Sequence, residues 1–248
     1  MARIAHIISD LHLATDRPDL FLLFEHYMRE IAPNSDQLFV LGDLFDVWLG
    51  DDCLQVANPS SQMYRDVVNL FKTYSSENKS LFFFHGNRDL LLGKSFEKQT
   101  GGELLEEPFI THLSKLKVAM LHGDTLCTDD TAYQEYRNQV HNKDWQSQFL
   151  SLSMQQRIEM ATGIKEKSKQ AQITKTSEIM DVNHDAVVDF FRANPVDCLI
   201  HGHTHRQAIH TLDVDDVSVK RVVLSDWGPK GFYLSVANNS IEENYFSL

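Results

Sequence analysis

Five times along this chain a short apolar run stops abruptly at histidine, aspartate or glycine. Ile4–Ile8 ends in Ser9-Asp10-Leu11-His12, and Leu38–Leu41 runs into Gly42-Asp43-Leu44-Phe45-Asp46. Leu81–Phe84 ends in His85-Gly86-Asn87-Arg88-Asp89, Val118–Leu121 in His122-Gly123-Asp124, and Cys198–Ile200 in His201-Gly202-His203-Thr204-His205. Continuous apolar runs this short suit strands covered on both faces. Leu20–Ile31 and Met63–Tyr74 read as amphipathic helices between the first three strands. Strand–helix alternation of this kind predicts an α/β fold. Functional sites in such sheets form beyond the carboxyl ends of the strands, so five polar ends are expected on one rim.

The later chain is organised differently. No strand candidate occurs between Tyr133 and about Met180; Ser153–Ile164 and Lys165–Met180 read as helical. Asp181–Ala193 continues as a helix until Pro195 ends it. Ala208–Leu212, Val217–Leu224 and Phe232–Val236 read as antiparallel strands with short turns. No repeat or Pro/Gly/Ser-rich linker divides the 248 residues, so one domain with a helical insertion over roughly 131–180 is expected.

Charge narrows the function classes. The net charge of −12 argues against a nucleic-acid binder, whose affinity comes from neutralising phosphates. Three scattered cysteines, Cys53, Cys127 and Cys198, form no disulfide or CxxC pattern and point to a reducing compartment. With no apolar run long enough to span a bilayer and no evident signal segment, a cytoplasmic location is expected.

Carboxylate and imidazole together suit divalent first-row metals. Asp10 and His12 are two residues apart, as are His203 and His205, so extended backbone would send each pair to one side. Glycines beside Asp43, Asn87, His122 and His203 would let the backbone turn sharply there. Asp46, Asp89, Asp124 and His201 are expected behind the ligands, orienting them. His6, His26 and His112 fall outside the segments and read as packing or surface residues. Phe45, Trp48 and Leu49 are expected to serve the core.

The ordered set DxH, GDxxD, GNRD, HGD and GHTH resembles the calcineurin-like metallophosphoesterases. The longer stretches GDLFDVWLGDD (42–52), HGNRD (85–89), HGDTLCTDD (122–130), IMDVN (179–183) and LIHGHTHR (199–206) resemble the UDP-2,3-diacylglucosamine hydrolases within that superfamily. The resemblance implies a two-sheet α/β sandwich flanked by helices, with the insertion capping a dinuclear site. It implies that Asp10, His12, Asp43 and His205 hold one divalent metal, and that Asp43, Asn87, His122 and His203 hold the other. Manganese is the ion implied. Asp43, Asn87, Arg88, His122 and His203 are implied as catalytic. Asn87, Arg88, Asp130, Ser168, Gln172, Lys175 and His203 are implied to contact substrate; at Gln172 the chain departs from the family's asparagine.

The expected reaction is hydrolysis of the pyrophosphate of UDP-2,3-diacylglucosamine, at the phosphorus nearest uridine. It gives UMP and 2,3-diacylglucosamine 1-phosphate on the route to lipid A in a Gram-negative bacterium. Arg88 would grip phosphate oxygens, since guanidinium stays charged and binds two oxygens at once. Residues 137–175 carry seven basic residues against three acidic ones, interleaved with apolar side chains. With the resemblance, that mixture predicts peripheral contact with anionic lipid on the inner face of the inner membrane. A monomer that binds no nucleic acid is expected. The rival readings are a metal-dependent phosphodiesterase for soluble substrates and a non-catalytic metal-stabilised scaffold. Arg88 and the insertion lean against the first, and the unbroken set of ligand positions leans against the second.

Overall fold

The computed structural model describes residues 3–174 and 181–248, and the side chains of residues 167–174 lie outside that description. The elements run β1 (Ala5–Ile8), α1 (Pro18–His26), β2 (Gln37–Val40), α2 (Pro59–Ser76), β3 (Ser80–Phe83), α3 (Lys94–Thr100), β4 (Glu103–Leu104), β5 (Phe109–Leu113) and β6 (Leu116–Met120). Then follow α4 (Thr131–Val140), α5 (Lys143–Ser151), α6 (Met154–Thr174), α7 (His184–Ala193), β7 (Cys198–His201), β8 (Ala208–Val214), β9 (Val217–Val223), β10 (Gly231–Ala237) and β11 (Ser240–Phe246). Two mixed sheets result, of six strands in the order β11-β10-β1-β2-β3-β4 and of five in the order β5-β6-β7-β9-β8.

The short apolar strands lie in the middle of these sheets because both of their faces are covered. Along β6, Val118 and Met120 point into the main core, whereas Ala119 and the adjoining Leu121 join Val187 and Phe191 of α7 in a second cluster. Alternate side chains thus serve two layers. Behind the larger sheet, Phe71 of α2 meets Phe24 of α1 at 5.2 Å and Phe83 of β3 at 5.0 Å, both edge-on. β1, β2, β3 and β4 pair in parallel, as do β6, β7 and β9, so their carboxyl ends gather on one rim.

Some expectations change. The helix expected over Leu20–Ile31 is α-helical only to His26; a π turn over Tyr27–Ile31 follows, and Tyr27 and Met28 are both buried there. The helix expected from Asp181 begins at His184. Asn183 caps it by accepting from the Ala186 amide at 2.9 Å, and Asp181 turns instead to Arg206 at 2.8 Å. β9 is antiparallel to β8 but parallel to β7, and β10 leaves that group to pair antiparallel with β1 in the other sheet. Strands β4, β5 and β11, not expected, lie at sheet edges with mixed burial and lack a continuous apolar run.

Candidate metal centre and active site

The rim is built from turns. Asp10, His12, Asp43, His203 and His205 all have φ between 48° and 66°. The two DxH and HxH pairs therefore converge through left-handed turns and not through extended alternation. Such conformations are costly for residues with a Cβ and persist where surroundings over-determine them. Glycine serves the site mainly through close approach. Gly42 is left-handed at φ 83°, but Gly86 is not; a Cβ on Gly86 would lie 2.2 Å from the Asp43 amide nitrogen.

Two imidazole pairs face each other across the rim. His12 Nε2 lies 3.3 Å from His205 Nε2, and His203 Nδ1 lies 3.2 Å from His122 Nε2. Asn87 Oδ1 stands 3.2 Å from His122 Nε2 and 3.0 Å from His203 Nδ1. Asp10 Oδ1 is 3.3 Å from His205 Nε2. Asp43 Oδ2 lies between the two groups, 3.9 Å from His12 Nδ1 and 3.9 Å from His122 Nε2. The donor atoms of Asp10, His12 and His205 lie within 4.8 Å of one another, as do those of Asp10, Asp43 and His122.

The electrostatics of the rim fit a cation. Burial pulls His122 down, yet Asp43, Asp10, Asp124 and Glu107 outweigh it and hold the imidazole up at about 10. Burial, opposed by His122 and aided by Asp89 and Asp10, lifts Asp43 to about 7. Burial lowers His12 to about 4 and His203 to about 3, which keeps their nitrogen lone pairs free. Nitrogen and oxygen donors aimed inward among excess carboxylates suit a divalent metal.

Carboxylates and carbonyls behind the rim fix its shape. Asp89 accepts backbone N–H bonds from Asp43, Leu44, Phe45 and Gly86, clamping two loops together. The Leu41 carbonyl, 2.8 Å from His122 Nδ1, can only accept, so that nitrogen carries the proton and Nε2 faces the rim. His201 Nδ1 sits 3.0 Å from the Gly202 carbonyl, and Arg221 donates to its Nε2 at 3.3 Å. Asp124 accepts from Tyr133 Oη at 2.9 Å and from Arg137 Nε at 2.7 Å, both on α4. The Tyr133 ring stands 5.6 Å from that of His203. Phe45 and Trp48 stack at 4.8 Å within the core.

The helices α4, α5 and α6 are tied to this rim. Arg157, only 5% exposed, donates to the carbonyls of Leu49, Leu150 and Leu152 and pairs with Asp52 at 2.7 Å. Lys165 reaches Asp46 at 2.5 Å. Asp130 caps α4 by accepting from the Tyr133 amide at 3.1 Å. Arg88 lies close enough for its charge to act on His12 and Tyr136, and no carboxylate pairs with its guanidinium among the described residues. The side chains of Ser168 and Gln172 and all of Lys175 lie outside the described residues. Glu107, Tyr133, Arg137, Arg157 and Lys165 were not expected at the rim. Each is an ordinary polar residue outside the five segments, placed there only by tertiary folding.

The family model for calcineurin-like phosphoesterases matches residues 3–207. UDP-2,3-diacylglucosamine hydrolases of Yersinia pseudotuberculosis serotype O:1b (strain IP 31758) and of Yersinia pestis are each 41% identical over 235 residues, covering 95% of this chain and 95% of their own. Among solved structures, an archaeal phosphodiesterase aligns over 99% of both chains at 14% identity, with a TM-score of 0.45.

Proposed function

The chain belongs to the calcineurin-like phosphoesterase family, and from that premise we propose that it hydrolyses the pyrophosphate bond of UDP-2,3-diacylglucosamine. The observation that carries this reading is the 41% identity to named hydrolases over nearly the full length of both chains. Asp10, His12, Asp43 and His205 hold one divalent cation in this reading, and Asp43, Asn87, His122 and His203 the other. The support is Asp43 Oδ2 standing equally far from His12 and His122. When bound, paired cations neutralise pyrophosphate charge and make water acidic enough to react at neutral pH. Imidazole and carboxylate donors suit divalent first-row ions as a group, and manganese is assigned among them by likeness to the family.

The chain's own residues supply position and charge. Arg88, unpaired with any described carboxylate, grips non-bridging phosphate oxygens through its fork of donors. Asn87 presents its carbonyl oxygen to the His122–His203 pair and leaves its amide for substrate. A phosphate leaving group has little need of an acid, so arginine suits the position beside Asn87. Asp130, Ser168, Gln172, Lys175 and His203 complete the proposed substrate contacts, by likeness to the family. The products are UMP and 2,3-diacylglucosamine 1-phosphate, the latter a precursor in lipid A assembly.

The lipid half of the substrate faces the helical insertion. Leu150, Ile158 and Met160 are 40%, 40% and 44% exposed, large for apolar side chains, and provide the peripheral membrane contact on the cytoplasmic side. No helix among the described residues is long and apolar enough to cross a membrane. Hydrolysis of the lipid-linked UDP-sugar in ¹⁸O-water, with products resolved by mass spectrometry, tests the reaction. Label in UMP is the expected result. Label only in the sugar phosphate reverses the site of attack, and turnover of soluble diesters without any of the lipid substrate overturns the assignment.

A further inference from the structure

Three of the five ligand-bearing loops have a ligand's main-chain amide tied to a side-chain carboxylate, buried at Asp10 and Asp89 and half-buried at Glu107. The Asp43 amide donates to Asp89 at 3.2 Å, and the His203 amide donates to Asp10 at 3.0 Å. The His122 amide donates to Glu107 Oε1 at 2.5 Å, the shortest of the three. Asp10 and Asp89 lie within the five strand-end segments. Glu107 does not: it sits on the connection from β4, at the edge of one sheet, to β5, at the edge of the other.

We propose that Glu107 is the positioning residue for His122, fixing the imidazole's place at the rim by holding its main chain from outside the ligand loops. His122 follows the last residues of β6, and its other bonds leave one freedom to remove. Nδ1 is spent on the Leu41 carbonyl, and the His122 carbonyl accepts from the Gly202 amide at 2.8 Å. These two bonds orient the ring and tie His122 to the His203 loop. The amide is the remaining main-chain group, and Glu107 Oε1 accepts its hydrogen bond at 2.5 Å. Glu107 thus joins the two sheets at the residue where their ligand sets meet. Groups that orient ligands from behind, when removed, typically weaken metal affinity about 10- to 100-fold.

This inference rests on the metal-centre reading above, and one experiment separates the two. Cobalt(II) is titrated into purified wild type, Glu107→Gln, Glu107→Asp and Glu107→Ala, following affinity by calorimetry and site geometry by the visible spectrum. Glutamine keeps an acceptor oxygen at the same reach and is expected to bind cobalt as wild type does. Aspartate keeps the charge but withdraws the oxygen by one methylene. It is expected to lose roughly 10-fold or more in affinity at one site and to shift the spectrum. Alanine is expected to behave like aspartate, with the metal-free variants melting close to wild type in EDTA. Wild-type affinity and spectrum in Glu107→Asp overturn the proposal, as does equal loss in Glu107→Gln. An affinity loss that merely follows a lower melting point in EDTA overturns it too. Absence of cobalt binding by wild type overturns the metal centre itself.

Discussion

Five of the seven proposed ligands hold left-handed backbone, uncommon for any residue with a Cβ although aspartate and histidine adopt it more often than most. Each such residue costs on the order of 1 kcal/mol or more, offset by bonds such as those of Asp89 and Asp10. Arg88 is different, because nothing among the described residues restrains its guanidinium. Arg88→Ala should therefore cut kcat about 100-fold or more while leaving metal content, read by atomic emission, near wild type. Loss of metal in parallel with activity would remove its role on substrate. His6 offers a test unconnected with catalysis. Burial and then Lys79 lower it to about 4, from an ordinary value near 6.5, beside the Tyr27 hydroxyl at 3.2 Å. Its neutral form is favoured by folding, so the stability it contributes is present above about pH 6.5 and fades as pH falls toward 4. The difference amounts to about 1–3 kcal/mol. Urea unfolding of His6→Leu in EDTA should show a correspondingly flatter pH dependence than wild type. Parallel curves would show that His6 does not link folding to pH.

At the scale of elements, the insertion is fastened by polar bonds from its interior. Residues 137–175 looked like a basic surface in sequence, yet Arg137, Arg157 and Lys165 turn to Asp124, Asp52 and Asp46. Those three cations attach α4 and α6 to the rim. Arg157 bonds three carbonyls that would otherwise lack this partner. Arg157→Ala should lower turnover of the lipid-linked substrate roughly 10- to 100-fold, with a much smaller effect on a small chromogenic phosphodiester. Equal loss on both substrates would mean that the helices only support the fold. The strand ends were legible because a parallel strand covered on both faces is mostly apolar, and the switch to Asp, His and Gly is then abrupt. Edge strands such as β11 were not, because one face is solvated and the pattern is broken. The left-handed turns at Asp10 and His203 were equally hidden, since long-range bonds and not local propensity select them.

Across the whole molecule, two sheets from distant parts of the chain bring one rim together. Asp10 and Asp43 come from the six-stranded sheet; His122, His203 and His205 come from the five-stranded one. Neither sheet alone carries a complete ligand set, so the apolar core between them is a condition of the site. In the proposed reading, exposed apolar side chains on the insertion orient the molecule toward lipid. Replacing Leu150, Ile158 and Met160 together by serine should reduce co-sedimentation with anionic vesicles several-fold while leaving hydrolysis of the soluble diester intact. Unchanged sedimentation would place the membrane contact elsewhere. In the proposed reading, the rim gathers two neighbouring cations around Asp43. Anomalous diffraction from manganese-soaked crystals, recorded on both sides of the manganese edge, tests it most directly. Two peaks are predicted, one beside His12 and His205 and one beside His122 and His203, with the Asp43 carboxylate between them; an empty rim, or Asp43 turned away from both peaks, would contradict it.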